Sequence, residues 1–216
     1  MDLNKYIEHT LLKQDATKDE IKKLLDEAVE NKFLGVCINP CNVKLAKEYL
    51  KNTEIKVVTV VGFPLGQSTT EIKILETIDA VKNGADEIDM VINGGKLKDK
   101  EYGYIINEIS KIKFAAQNRP LKVILETDLL TPQEIKKACE LCIEGHADFV
   151  KTSTGFVKNG VGAKIEDVKL MYETVKDSGL QVKASGGIRD KETAIKMIEA
   201  GAVRLGTSSG VKIVES

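Results

Sequence analysis

Three observations in the sequence predict a single (β/α)8 TIM barrel over residues 1–216. Short, β-branched apolar segments alternate with longer amphipathic ones from end to end, which is the pattern of repeated βα units around a parallel sheet. A helix, Gly-Ala, strand punctuation recurs, as in Asn83-Gly84-Ala85-Asp86 and Glu199-Ala200-Gly201-Ala202, because glycine accepts the backbone turn that ends a helix. Eight such units fill a chain of 216 residues, and no Gly-x-Gly-x-x-Gly turn opens the first helix. A closed barrel is therefore favoured over an open, doubly wound sheet.

The first strand is read at Tyr6 to Thr10. Its Tyr-Ile-Glu-His-Thr is polar for a central strand, so an entry loop is the alternative there. Thr17-Lys18-Asp19-Glu20 then starts a helix as a capping box, in which side chain and backbone satisfy each other's free N–H groups. Strands follow at Gly35 to Ile38, Lys56 to Val61, Glu87 to Ile92 and Lys122 to Glu126. The next helix opens at Thr131-Pro132-Gln133-Glu134, with proline at its first position, and stops at Glu144-Gly145-His146-Ala147-Asp148. Phe149 to Thr152, Gln181 to Ala184 and Arg204 to Gly206 complete the eight.

Composition narrows the function. A formal net charge of -1 with no basic block argues against a nucleic-acid partner or a polybasic membrane surface and for a small-molecule partner. No apolar run approaches the roughly 18 residues of a membrane span, and Met1-Asp2-Leu3-Asn4-Lys5 lacks the apolar segment of a secretory signal. A cytoplasmic location is expected. The four cysteines, Cys37, Cys41, Cys139 and Cys142, invite a metal reading. The amphipathic setting Ala138-Cys139-Glu140-Leu141-Cys142-Ile143 favours buried, reduced thiols acting as small hydrophobes instead. No metal and no cofactor is expected.

The chemistry lies in two lysines placed where strands should be apolar. Lys151 lies within Ala147-Asp148-Phe149-Val150-Lys151-Thr152, and Lys183 within Leu180-Gln181-Val182-Lys183-Ala184. A buried ammonium needs a carboxylate partner or loses its proton, and an unprotonated lysine is a nucleophile toward carbonyls. Asp89, between Ile88 and Met90 in the fourth strand, is the candidate carboxylate for moving protons. In a barrel all three belong at the C-terminal ends of strands, in the mouth. A buried Lys-Asp ion pair without chemistry is the alternative. The loops Ser185-Gly186-Gly187-Ile188 and Gly206-Thr207-Ser208-Ser209 follow the last two strands, where barrels commonly hold phosphate on backbone N–H groups. Arg189 reads equally well as an anion contact or as a partner of Asp190.

These residues stand in seven blocks that together resemble the deoxyribose-phosphate aldolase family. The blocks are Glu8-His9-Thr10-Leu11-Leu12-Lys13, Val36-Cys37-Ile38-Asn39-Pro40, Val60-Val61-Gly62-Phe63-Pro64-Leu65-Gly66, Glu87-Ile88-Asp89-Met90-Val91-Ile92-Asn93, Phe149 through Phe156, Val182 through Arg189, and Arg204 through Ser209. The resemblance implies a class I aldolase that joins acetaldehyde to glyceraldehyde 3-phosphate through a Schiff base. It implies Lys151 as the nucleophile, Lys183 as the neighbouring cation, Asp89 as the group working with a water in proton transfer, and Gly155, Gly186, Gly187, Gly206, Ser208 and Ser209 as the phosphate site. It also implies a homodimer or homotetramer.

Three positions depart from the family pattern. Glu8 stands where many relatives have aspartate, and Phe156 where some have lysine. The chain closes on Val214-Glu215-Ser216 rather than on the tyrosine that assists proton transfer in some relatives, so no tail contribution is expected. Another phosphosugar Schiff-base aldolase and a noncatalytic phosphate sensor remain as rival readings of the same residues.

Overall fold

The eight apolar runs pair edge to edge in chain order and close on themselves. In the computed structural model, which describes residues 1–215, the strands are β1 (Ile7–Leu11), β2 (Gly35–Ile38), β3 (Lys56–Val61), β4 (Glu87–Val91), β5 (Leu121–Ile124), β6 (Phe149–Lys151), β7 (Gln181–Ser185) and β8 (Ala202–Thr207). All neighbours are parallel, and β1 returns to β8 with Ile7 opposite Leu205, Glu8 opposite Gly206 and His9 opposite Thr207. The (β/α)8 barrel is thus realised, and the polar first segment is a strand rather than an entry loop. Ser216, the last residue of the tail, lies outside the described residues.

The helices are α1 (Lys18–Glu30), α2 (Val43–Tyr49), α3 (Thr70–Asn83), α4 (Gly94–Lys98), α5 (Tyr102–Ala115), α6 (Pro132–Glu144), α7 (Ile165–Val175), α8 (Lys191–Glu199) and α9 (Gly210–Glu215). Both expected N-termini carry their caps. Thr17 and Thr131 each accept the N–H of the glutamate three residues on, and that glutamate binds the cap's own N–H. One C-terminus differs from expectation. Gly145 keeps an ordinary φ of -81°, and His146 takes the left-handed turn at φ 61°. Glycine is required at 145 for a different reason, since a Cβ there would lie 2.7 Å from Ile109 of α5.

The apolar helix faces and the outward faces of the strands form one core that runs around the barrel, with Ile21, Leu25, Ile88, Ile105, Ile109, Val150 and Leu205 fully buried. Cys139 and Cys142 belong to it, on the inner face of α6. Cys41 does not. It is exposed in the short 3-10 turn Pro40–Asn42 after β2, where the chain has left the sheet for the barrel rim. Between α3 and α5, Lys73 is fully buried, pairs with Glu108 at 2.9 Å and donates to Val91 O at the end of β4. No helix among the described residues is long and apolar enough to cross a membrane.

Inside the barrel the usual branched apolar layers occupy only part of the space. Leu12, Cys37, Val58 and Val60 form a small apolar cluster on the β1 to β3 side. The rest is filled by charges from β1 and from β4 to β8. An irregularity in the β7 to β8 pairing at Val182/Lys183 skips one residue of β8, so that Lys183 lies opposite Arg204. Two cations side by side in a barrel interior demand carboxylates nearby.

Candidate active site

Strand alternation turns every second side chain inward, which brings Glu8, Asp89, Lys122, Lys151, Lys183 and Arg204 together. Asp89 is fully buried and is the hub. Its Oδ2 accepts hydrogen bonds from Lys151 Nζ and from Lys183 Nζ, each at 2.7 Å, and its Oδ1 accepts from Lys122 Nζ at 3.0 Å. Lys183 also donates to Glu8 Oε2. Below them, Lys122 lies 2.5 Å from Glu87 and 3.6 Å from Glu8, and Arg204 lies 3.6 Å from Glu87 and 3.7 Å from Glu8. Lys122 and Arg204 also both stand 5.7 Å from the Phe149 ring, a contact favourable to a cation.

The titration behaviour follows from these contacts. Burial opposes the charge on Asp89, but Lys122, Lys151 and Lys183 outweigh it and hold the carboxyl well below its usual range. Glu8 is lowered in the same way, with burial again opposing and Lys122 and Lys183 prevailing. Burial also disfavours the Lys183 ammonium, yet Asp89 and Glu8 keep it above the ordinary lysine range. Lys122 is raised likewise, against its burial, by Asp89 and Glu8. Lys183 is therefore a fixed cation. Cys37, on the apolar side of the interior, has its thiol pushed up by burial.

The three expected reaction residues do meet, though not all in the mouth. Lys151, at the end of β6, is the one that lines the open cavity of about 730 Å3 at the C-terminal face. Asp89 and Lys183 lie beneath it with no solvent exposure. The same cavity is lined by Gly155, Gly186, Gly187, Gly206, Ser208 and Arg189. Asp190 spends its carboxylate on capping α8 through Thr193, so Arg189 faces the mouth while its neighbour serves the helix. Ser209 lines a separate cavity beside His9 and Glu27, with its N–H bonded to Thr207 Oγ1 at 2.9 Å. Ser208, its neighbour, lines both that cavity and the mouth. A further cavity of about 360 Å3, lined by Pro64, Leu65, Val91, Ile92 and Leu125, shares Thr154 and Phe156 with the mouth.

Sequence reading passed over Lys122, Glu87 and Arg204 as site residues and left Glu8 without a role. The signal for Lys122 was present, since Leu121-Lys122-Val123-Ile124 is a lysine in an apolar strand like Lys151. Two lysines sharing one carboxylate was the expected balance. The interior instead holds four cations and three carboxylates. Of the four, Lys151 is the one that lines the mouth.

Comparison with known proteins agrees with this fold. A family model described as DeoC/LacD family aldolase matches residues 3–216. The deoxyribose-phosphate aldolase of Finegoldia magna is 56% identical over 215 residues, covering 100% of both chains. Among solved structures, an aldolase called QR15 superposes with a TM-score of 0.95 at 45% identity, covering 100% of this chain and 95% of the other. A tetrameric deoxyribose phosphate aldolase from Aeropyrum pernix superposes with a TM-score of 0.89 at 32% identity, over 99% of this chain and 90% of the other. A lysine at the barrel mouth, set above a carboxylate it shares with a second lysine, thus comes with a full-length family match: the chain belongs to the DeoC/LacD aldolase family.

Proposed function

We propose that the whole chain acts as one catalytic domain that reversibly cleaves 2-deoxy-D-ribose 5-phosphate into D-glyceraldehyde 3-phosphate and acetaldehyde through a Schiff base on Lys151. The observation that carries this reading is the placement of the Lys151 amine in the mouth, on the same Asp89 oxygen that holds Lys183 cationic. With Lys183 held between Asp89 and Glu8, Lys151 is the amine placed to attack a carbonyl from the mouth.

The unprotonated Lys151 Nζ attacks C1 of the open-chain aldehyde, and loss of water gives an iminium. Removal of the C3 hydroxyl proton releases the C2–C3 electron pair into the iminium, so that C3 leaves as the aldehyde of glyceraldehyde 3-phosphate. The enamine that remains is protonated at C2, with Asp89 working through a water. Hydrolysis then frees acetaldehyde and returns the amine. The iminium supplies the polarisation that a metal ion supplies in other aldol cleavages, so the scheme calls for no cofactor. Gly155, Gly186, Gly187, Gly206 and Ser208 offer the phosphate a glycine-rich rim at the mouth, and Ser209 adds support from the cavity beside it. Phe156 leaves this rim without the extra lysine, so backbone N–H groups carry more of the phosphate binding.

The chain works as a homodimer or homotetramer in the cytoplasm. Supporting assembly, α3 turns Ile72, Leu75 and Ile78 outward at 49%, 60% and 49% exposure, an apolar stripe of the kind subunit contacts cover. Light scattering tests it, and a monomeric mass would overturn it.

Borohydride reduction with acetaldehyde or deoxyribose 5-phosphate, followed by peptide mapping, tests the chemistry. The expected result is a stable adduct on Lys151. An adduct on another lysine, or none, sinks the mechanism.

A further inference from the structure

We propose that Glu126 and Asp128, on the loop after β5, are positioning residues that hold the two glycine loops of the phosphate site in register. The inference rests on the phosphate-binding reading above and extends it to groups that do not line the glycine-rich rim.

Strand β5 was expected to run on to Glu126 but stops at Ile124. Glu126 adopts a left-handed backbone, φ 61° and ψ 64°, which costs a glutamate energy that its surroundings must return. Its buried carboxylate accepts the Thr154 N–H at 3.2 and 3.3 Å and also the Thr154 hydroxyl. That hydroxyl in turn accepts the Phe156 N–H at 3.1 Å. Gly155, the first glycine of the proposed phosphate site, is thus bracketed by two residues tied to one carboxylate. Beside this contact, the Leu125 and Thr127 N–H groups donate to Lys151 O and Thr152 O at 2.9 and 3.0 Å, so the loop is seated directly on the strand that bears the nucleophile.

Asp128 secures the far end of the same segment. Its Oδ2 accepts the Gly162 N–H at 2.8 Å, and its Oδ1 lies 3.3 Å from Lys164 Nζ. Gly162 lies against the second glycine loop so closely that a Cβ there would come within 2.4 Å of Gly186 C. The next residue, Ala163, donates to Gly186 O at 3.0 Å. A Cβ on Gly187 would in turn meet Val161 O at 2.3 Å. The path from Asp128 through Gly162 to Gly186 and Gly187 is continuous contact. Two carboxylates beside an anion site are electrostatically adverse unless they act through intervening donors, and here both are occupied by N–H groups of the loop that would face the phosphate.

The chemistry of the contacts selects the variants. Glu126→Gln removes one of two acceptors that face two Thr154 donors. Asp128→Ala removes the Gly162 acceptor, and Asp128→Asn keeps it while losing the ion pair with Lys164. Kinetics with deoxyribose 5-phosphate, kinetics with unphosphorylated 2-deoxyribose, and competition by inorganic phosphate are compared. In Glu126→Gln and Asp128→Ala, KM for the phosphorylated sugar and the inhibition constant of inorganic phosphate rise together by about tenfold. For both, kcat and the KM for 2-deoxyribose stay within about twofold, and Asp128→Asn recovers most of the loss. Because Glu126 acts through Thr154, adding Thr154→Val to Glu126→Gln worsens the inhibition constant no further than the poorer single variant.

Equal losses for the two sugars, additivity in the double variant, or a lowered melting temperature with unchanged phosphate competition would each overturn the positioning role. Failure of inorganic phosphate to compete in the unsubstituted enzyme overturns the anion site itself. That result is distinct from competition that is equal in all proteins, which removes only the positioning role.

Discussion

Lys151 and Lys183 share a single oxygen atom, each amine lying 2.7 Å from Asp89 Oδ2. The two lysines are also register partners on adjacent strands, so the parallel sheet itself sets them side by side. What distinguishes them is their second contacts. Lys183 has Glu8 as well and no solvent, whereas Lys151 opens to the mouth. One amine is locked as a cation between two carboxylates, and its neighbour reaches the open cavity.

Replacing Lys183 by leucine therefore has two effects. It leaves Glu8 and Asp89 buried with one cation fewer, which costs about 3–5 kcal/mol of stability, readable as a lower urea midpoint. It also removes the cation beside Lys151 and leaves that amine with more of Asp89. Activity near neutral pH falls, and the pH–rate profile moves to the alkaline side. A profile that keeps its position argues against Lys183 as the tuning cation.

Lys122 gives a complementary test, because it contacts Glu87 and Asp89 without lining the mouth. Lys122→Met strands those carboxylates and destabilises by a similar 3–5 kcal/mol or so. Pairing it with Glu87→Gln removes one stranded charge and restores part of the loss. Urea denaturation of the two singles and the double closes the cycle, and strict additivity would show that the two side chains do not act as a pair.

Asp89 is held well below the usual carboxylate range, so its share of stability has a defined pH window. It is complete above the unfolded value of about pH 4 and is lost as pH falls from there through the folded-state value. Lys183, raised instead, contributes fully below about pH 10.4 and loses its share as pH climbs past its folded-state value. The stability difference between the unsubstituted protein and Asp89→Asn should hold steady near neutrality and shrink below about pH 4. A difference that persists unchanged to pH 2 would place the stabilisation elsewhere.

Phe156 lines the mouth at 48% exposure, with its ring edge-on to Phe63 at 5.1 Å. A lysine there adds an exposed cation near the glycine loops. Phe156→Lys should lower KM for deoxyribose 5-phosphate by about two- to fivefold, leave kcat unchanged, and lose the gain at high salt. No change in KM would put the phosphate out of reach of this position.

Much of this protein is legible before any coordinates. Eight strands, the capping box at Thr17 and the helix start at Pro132 follow from local patterns, because apolar alternation, proline placement and side-chain caps act over a few residues. Lys151, Lys183 and Asp89 announce themselves as charges in apolar strands, a conflict between local pattern and burial that marks a site. Other features depend on contacts distant in sequence. Glu8 reaches Lys183 across 175 residues, and Glu126 leaves the strand its sequence suggests because its carboxylate binds Thr154, 28 residues on. Ser208 reaches the mouth and the cavity beside His9, whereas Ser209, next in sequence, lines the latter. The sequence by itself determined which residues must find partners, since desolvation penalises a charge wherever it is buried. Only the closed barrel decided which partners they found and which lysine came to line the open cavity, because strand register and the return of β1 to β8 set those distances.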